Sequence, residues 1–103
     1  MHVEIHPDAI LEIDEASEWY EARREGLGED FERETWEAVS RITTLPYACP
    51  PWRGDPRYRF ARLKRFPYML PYAIVGESEA IVLAVAHEHR QSGYWLSRGE
   101  GLG

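Results

Sequence analysis

Residues 1–6 alternate weakly between apolar and polar positions, which predicts a short strand. Pro7 then suits the first turn of a helix, where its missing N–H costs nothing, and Asp8 suits the positive helix end. Ala9, Ile13, Ala16 and Tyr20 recur at spacings of 4, 3 and 4. Asp14, Glu15, Glu18, Glu21 and Glu25 fall mainly on the opposite face, with Glu12 at the border. The 3.6-residue period predicts an amphipathic helix of roughly 17 residues. Gly26 can take the left-handed conformation that ends it, and Leu27 can fold back onto apolar surface.

A second helix is predicted at once. Glu29 and Asp30 favour its N-terminus, and Phe31, Thr35, Ala38, Ile42 and Leu45 repeat at 4, 3, 4 and 3, with Val39 alongside, until Pro46 stops it. So short a joint predicts an antiparallel helical hairpin. Pro46 to Pro56, with four prolines and a glycine, reads as a loop. Strands are predicted at Tyr58 to Leu63 and at Phe66 to Val75, where Pro67 and Pro71 imply an edge position or a bulge. Gly76 to Glu79 reads as a hairpin turn. The run Ala80 to Ala86 is apolar on both faces and predicts a central strand covered on both sides, with Leu83 in the core. The order β-α-α-β-β-β gives the fold class α+β: a helical hairpin packed on a small, mainly antiparallel twisted sheet. Residues 1–98 form one expected domain, and the glycine-rich residues 99–103 a loose tail.

Composition narrows the function classes. With 103 residues, 44% of them hydrophobic and 29% charged, the chain holds a core without being disordered or fibrous. No apolar run approaches the ~20 residues that span a bilayer, and the N-terminus lacks the basic and apolar stretches of a signal peptide, so a cytoplasmic protein with no membrane role is expected. Cys49 is the only cysteine, which excludes an intrachain disulfide and a multi-cysteine zinc site.

The net charge of −6 is unevenly spread. Residues 1–45 carry 13 acids and 4 bases, a net of −9, whereas residues 46–103 carry 5 acids and 8 bases, a net of +3. Six of those bases lie close together: Arg53, Arg57, Arg59, Arg62, Lys64 and Arg65. An acidic protein is a poor generic binder of nucleic acid, because its summed field repels phosphate. A local basic strip can still meet RNA or the acidic residues of a partner, and a half-exposed strand has the same alternation of Arg57 and Arg59 with Tyr58 and Phe60. Trp36 falls off the apolar stripe of its helix and marks an exposed binding surface; most other aromatics are expected in the core.

The most chemically suggestive cluster is His87, Glu88, His89, Arg90 and Tyr94. In a strand His87 and His89 point the same way, and two imidazoles with a phenol can do acid/base work. The structural alternative is that His87 closes a buried strand, Arg90 pairs with an acid, and Tyr94 and Trp95 pack on the sheet. The spacing of His87 and His89 guarantees no metal site, and neither a metal nor a cofactor is expected.

An ordered set of short strings resembles the ParE/RelE superfamily of bacterial type II toxin–antitoxin toxins. They are Trp19-Tyr20-Glu21, Gly26-Leu27-Gly28 with Phe31, Arg65-Phe66-Pro67-Tyr68 with Tyr72, and Val85-Ala86-His87 with Arg90, Gly93, Tyr94 and Trp95. The resemblance spans nearly the whole chain. It implies a helical hairpin on a twisted antiparallel sheet, a cognate antitoxin partner, and one of two targets. ParE-like members act on DNA gyrase; RelE-like members cut messenger RNA on the ribosome.

Cleavage needs a deprotonated 2′-hydroxyl, a protonated leaving oxygen and a stabilised phosphate charge. The resemblance implies strand arginines or lysines and a C-terminal tyrosine or histidine for these tasks, so a ribonuclease would draw on Arg65, His87, Arg90 and Tyr94. One arginine of cleaving relatives tends to lie just after the tyrosine opening the third strand. Here Tyr68 is followed by Met69. The ParE-like reading is therefore expected, with the RelE-like endoribonuclease as the alternative. Trp36, Arg57, Arg59 and Arg62 are the expected contacts for target or antitoxin. Direct nucleic-acid binding is expected only within an antitoxin complex or on the ribosome.

Overall fold

The computed structural model describes residues 1–100; the end of the expected tail, residues 101–103, lies outside them. A first strand, β1 (His2–Ile5), leads into helix α1 (Pro7–Arg23), whose first turn holds Pro7 as predicted. The cap is His6, whose Nδ1 accepts the Asp8 N–H at 3.1 Å. Helix α2 (Leu27–Thr44) follows after a joint in which Gly26 has φ 87°.

Glu21 of α1 fixes that joint. Its carboxylate accepts the N–H groups of Gly26 (2.9 Å) and Gly28 (3.0 Å). These are donors that a helix start cannot satisfy by itself, and the negative charge also suits the helix dipole. Gly28 lets the helices approach: a Cβ there would lie 2.7 Å from the Ser17 carbonyl oxygen. The hairpin buries Ala9, Ile13 and Ala16 of α1 and Phe31, Thr35, Ala38 and Ile42 of α2. Leu45, expected on the same apolar stripe, caps the helix instead and is 61% exposed.

Five further strands complete a six-stranded sheet: β2 (Pro51–Trp52), β3 (Asp55–Arg62), β4 (Tyr68–Ile74), β5 (Glu79–Val82) and β6 (Ala86–His87). The order is β1-β5-β4-β3-β2, with β6 also on β4; among the described residues only the β1–β5 pair is parallel. The expected loop from Pro46 to Pro56 thus contains β2 and the start of β3.

Two expectations need correction. The strand carrying Pro71 is interior, not an edge, and the irregularity lies in its neighbour. The apolar run from Ala80 to Ala86 is not one strand: β5 pairs with Tyr72–Ile74, β6 pairs with Tyr68–Met69, and residues 83–85 leave the ladder between them. Pro71 faces that break, so its missing N–H removes no ladder bond, and its carbonyl accepts the Leu83 N–H at 2.8 Å. Pro67 precedes β4, and its carbonyl accepts the Glu88 N–H at 2.8 Å.

Both sheet faces are covered. On one, the helical hairpin packs Phe31 and Ile42 against Ala61, Leu70, Tyr72 and Val82. On the other, Trp95 packs with Tyr58, Ala73, Leu83 and Ala86. The chain after β6 supplies that second cover, ending in a 3-10 turn (Leu96–Gly99) in which a Cβ on Gly99 would meet the Tyr58 hydroxyl. This explains why the run through Leu83 is apolar at every position.

Glu34 is a buried carboxylate on α2 that the apolar pattern did not show. It accepts the backbone N–H groups of Lys64 and Arg65, both at 2.9 Å, and the Arg65 guanidinium. Burial pushes its carboxyl up, but these donors from Arg65 and Lys64 outweigh it and hold it below the usual carboxylate range.

Two outcomes follow from this packing. Leu83→Ala destabilises by about 2–5 kcal/mol in urea unfolding, the range for truncating a fully buried leucine. Glu34→Gln costs about 1–3 kcal/mol at neutral pH, because charged hydrogen bonds are weakened and Arg65 loses its counter-ion. A lowered folded-state pKa stabilises above the unfolded carboxylate range and loses that contribution as pH falls through the folded value. The gap between parent and Glu34→Gln therefore narrows on acidification; a gap that widens contradicts the assignment.

Candidate functional site

The break between β5 and β6 releases backbone groups that need partners, and Glu12 and Arg98 supply them. The Glu12 carboxylate, on α1, accepts the Val85 N–H at 3.1 Å. Arg98, from the 3-10 turn, donates to the Leu83 carbonyl at 3.0 Å and to Glu12 at 2.9 and 3.2 Å. Tyr94 donates its phenol to Glu12 at 2.6 Å, and Arg90 reaches the same carboxylate at 3.3 Å. The Arg90 guanidinium also lies 3.6 Å from the Tyr94 ring centroid. Side-chain exposure is 11% for Glu12 and 16% for Arg98, so this pair is shielded from water, whereas Arg90 is 55% exposed. Asp8, 3.7 Å from Arg98 Nε, supplies a second negative charge. Two carboxylates thus face two guanidiniums.

Burial pushes the Tyr94 phenol up, and the hydrogen bond and charge of Glu12 push it further, against Arg90 and Arg98. The phenol keeps its proton and spends it on Glu12. Beside this hub opens a cleft of about 290 Å³ between α1 and the end of the sheet, lined by Glu15, Trp19, Tyr20, Tyr68, His87 and Arg90. Burial and its neighbour Tyr20 push the Tyr68 phenol up to about 12. His87 Nδ1 accepts the His89 N–H at 3.0 Å, and its ring meets the Tyr68 ring edge-on at 5.0 Å.

Three of the four groups that RNA cleavage would draw on, His87, Arg90 and Tyr94, therefore share one region. The fourth, Arg65, is held by Glu34 on the other helix. Of the expected binding residues, Trp36 is 46% exposed on α2. Arg57 is locked on Asp55 by a 2.6 Å contact, and Arg62 pairs with Glu88 at 3.3 Å. Arg59 donates to the carbonyls of Tyr47 and Cys49. Sequence reasoning missed Glu12 and Arg98 as functional-site members. The signal for Glu12 was its border position on the apolar stripe; Arg98 carried none.

Comparison with known proteins identifies relatives. The sequence profile described as ParE toxin of type II toxin-antitoxin system, parDE, matches residues 3–92. No curated protein sequence matches the chain. Among solved structures, a chain described as the chromosomal ParDE TA system from P. aeruginosa superposes with a TM-score of 0.69 at 18% identity. The match covers 84% of this chain and 95% of that one, a likeness of fold.

The hub predicts its own response to mutation. Glu12→Ala removes the nearer counter-ion of Arg98, leaving it Asp8 alone, and leaves the Val85 N–H unpaired, at a cost of roughly 3–5 kcal/mol, as for a broken buried ion pair. Tyr94→Phe removes one donor to a charged carboxylate and costs about 1.5–3 kcal/mol. Hydrogen exchange reads both: the Val85 amide and residues 87–98 lose protection ahead of the helices in Glu12→Ala. Uniform loss across the molecule contradicts a local clamp.

Proposed function

The chain belongs to the ParE toxin family of type II toxin–antitoxin systems, and from that premise we propose that it acts by binding a protein target. The target is DNA gyrase or a similar enzyme, and a cognate antitoxin neutralises the toxin. The observation that carries the reading is the engagement of Tyr94, Arg90 and Arg65. A general acid or base has to exchange its proton near the working pH. Tyr94 is pushed away from that range and donates to Glu12. Arg90 and Arg65 each meet a carboxylate, so neither offers an uncompensated charge to a phosphate. Met69, where cleaving relatives tend to carry arginine, packs against the apolar cluster around Trp95. These groups hold the fold, and a binding toxin needs only a stable surface with a few anchors. Of the expected contacts, Trp36 is exposed, and half-buried Arg59 is the arginine with no carboxylate within ion-pair distance among the described residues.

Ribosomes programmed with messenger RNA and mixed with the purified protein test this. The transcript stays intact, and Tyr94→Phe changes nothing in the assay. Codon-positioned cleavage that disappears in Tyr94→Phe or Arg90→Ala, with the fold intact by circular dichroism, makes the protein a RelE-like endoribonuclease instead. The antitoxin half of the reading requires that the product of an adjoining reading frame bind the protein at micromolar concentration.

A further inference from the structure

Beyond the end of α2 the surface changes character. Leu45 is 61% and Tyr47 65% exposed, the two most exposed large apolar residues among those described. Beside them a hole of about 80 Å³ opens between Ile42, Leu45, Ala48, Cys49, Ala61 and Tyr72, with Arg41 at its rim. Its walls are almost wholly apolar, and its size suits one branched aliphatic side chain. Such a hole gains nothing from water, since a buried water needs polar partners.

Among the described residues, Arg41 and Arg59 near the hole lie within ion-pair distance of no carboxylate, and the same holds of Arg23, Arg24, Arg53 and Lys64. Arg57, Arg62, Arg65, Arg90 and Arg98 each lie within ion-pair distance of a carboxylate. Arg41 donates to the Arg62 carbonyl, and Arg59 donates to the carbonyls of Tyr47 and Cys49 while lying 5.1 Å from the Tyr47 ring centroid. Backbone carbonyls orient a guanidinium without cancelling its charge. Glu37, one turn before Arg41, contributes to the field at Arg65. Arg41 in the lining, and Arg59 beside it through the Cys49 carbonyl, thus bring positive charge to an apolar hole on a protein whose net charge is −6.

We propose that this face docks an acidic segment of the antitoxin, with one branched aliphatic side chain in the hole and carboxylates on Arg41 and Arg59. The identity of the partner rests on the toxin–antitoxin reading above; the chemistry of the segment rests on the surface alone. Apolar anchorage gives the affinity and the arginines give orientation and a salt-dependent on-rate. The mode is docking of a peptide anchor, with charge complementarity selecting the acidic partner.

Cys49, the chain's one thiol, lines the hole and reports its occupancy. The full-length protein is treated with methyl methanethiosulfonate while a capped peptide, Glu-Asp-Glu-Leu-Glu-Asp-Glu, is titrated in, and mass spectrometry follows labelling. At about ten times Kd, mass action slows labelling roughly tenfold. Protection weakens with added salt, vanishes when the peptide's acids are replaced by lysine or its leucine by serine, and falls in the Arg41→Gln/Arg59→Gln variant. Unchanged labelling at millimolar peptide overturns the proposal. So does a complex with the antitoxin in which Cys49 labels at the free rate, an outcome that leaves the toxin–antitoxin reading standing. Protection that instead rises with the protein's own concentration, without peptide, assigns the face to a second copy and also overturns it. If the peptide protects Cys49 but no adjoining gene product binds, the acidic docking face stands and the antitoxin reading falls.

Discussion

The shielded ion pair between Glu12 and Arg98 closes the gap in the sheet between Val82 and Ala86. A sheet interior cannot interrupt a strand without stranding backbone donors and acceptors, each costly to leave unpaired in a dry environment. Here the Leu83 carbonyl takes Arg98, the Val85 N–H takes Glu12, and the Leu83 N–H takes the carbonyl of Pro71. No buried side-chain polar atom among the described residues is left without a partner. One carboxylate from the first helix thereby ties the start of the chain to its end.

The consequence is a division of labour among charges. Glu21 sets the hairpin joint, Glu34 secures the turn between β3 and β4, and Glu12 clamps the chain after β6. All three belong to the acid-rich first 45 residues, and two of them meet arginines from the base-rich remainder. The asymmetry of charge along the sequence is therefore partly a folding code: acids on the helices meet bases on and beyond the sheet. Arg41 and Arg59 meet backbone carbonyls instead of carboxylates and lie beside exposed Leu45 and Tyr47, the face proposed above for docking.

Periodicity made the two helices legible almost to the residue, because α1 and α2 each bury one stripe and leave the other face wet. Gly26 announced the joint through its backbone freedom, which the φ of 87° uses. The run at Ala80–Ala86 was legible as doubly buried but not as broken: apolar pattern reports burial, whereas the break depends on which neighbour supplies hydrogen bonds. Pro71, read as a sign of an edge position or a bulge, was the trace of that break, because a missing N–H fits an edge, a bulge or a gap in the neighbouring strand alike. The site was half legible. His87, Arg90 and Tyr94 stood together in the sequence, but Glu12, the partner of Arg90 and Tyr94, lies more than 70 positions away, and no local pattern links such distant polar residues. Leu45 continued a perfect helical spacing and yet lies outside the core, since Pro46 ends the helix before the stripe can be buried there.

On the reading advanced above, this scaffold of clamped charges presents a binding surface to a protein target and cleaves nothing. Supercoiling by purified DNA gyrase measures that most directly. With the protein in modest excess over gyrase, the account predicts that conversion of relaxed plasmid to the supercoiled form stops, and that prior addition of the antitoxin restores it. Gyrase that supercoils at its normal rate in the presence of excess folded protein, while the same preparation cuts ribosome-bound messenger RNA, would contradict it.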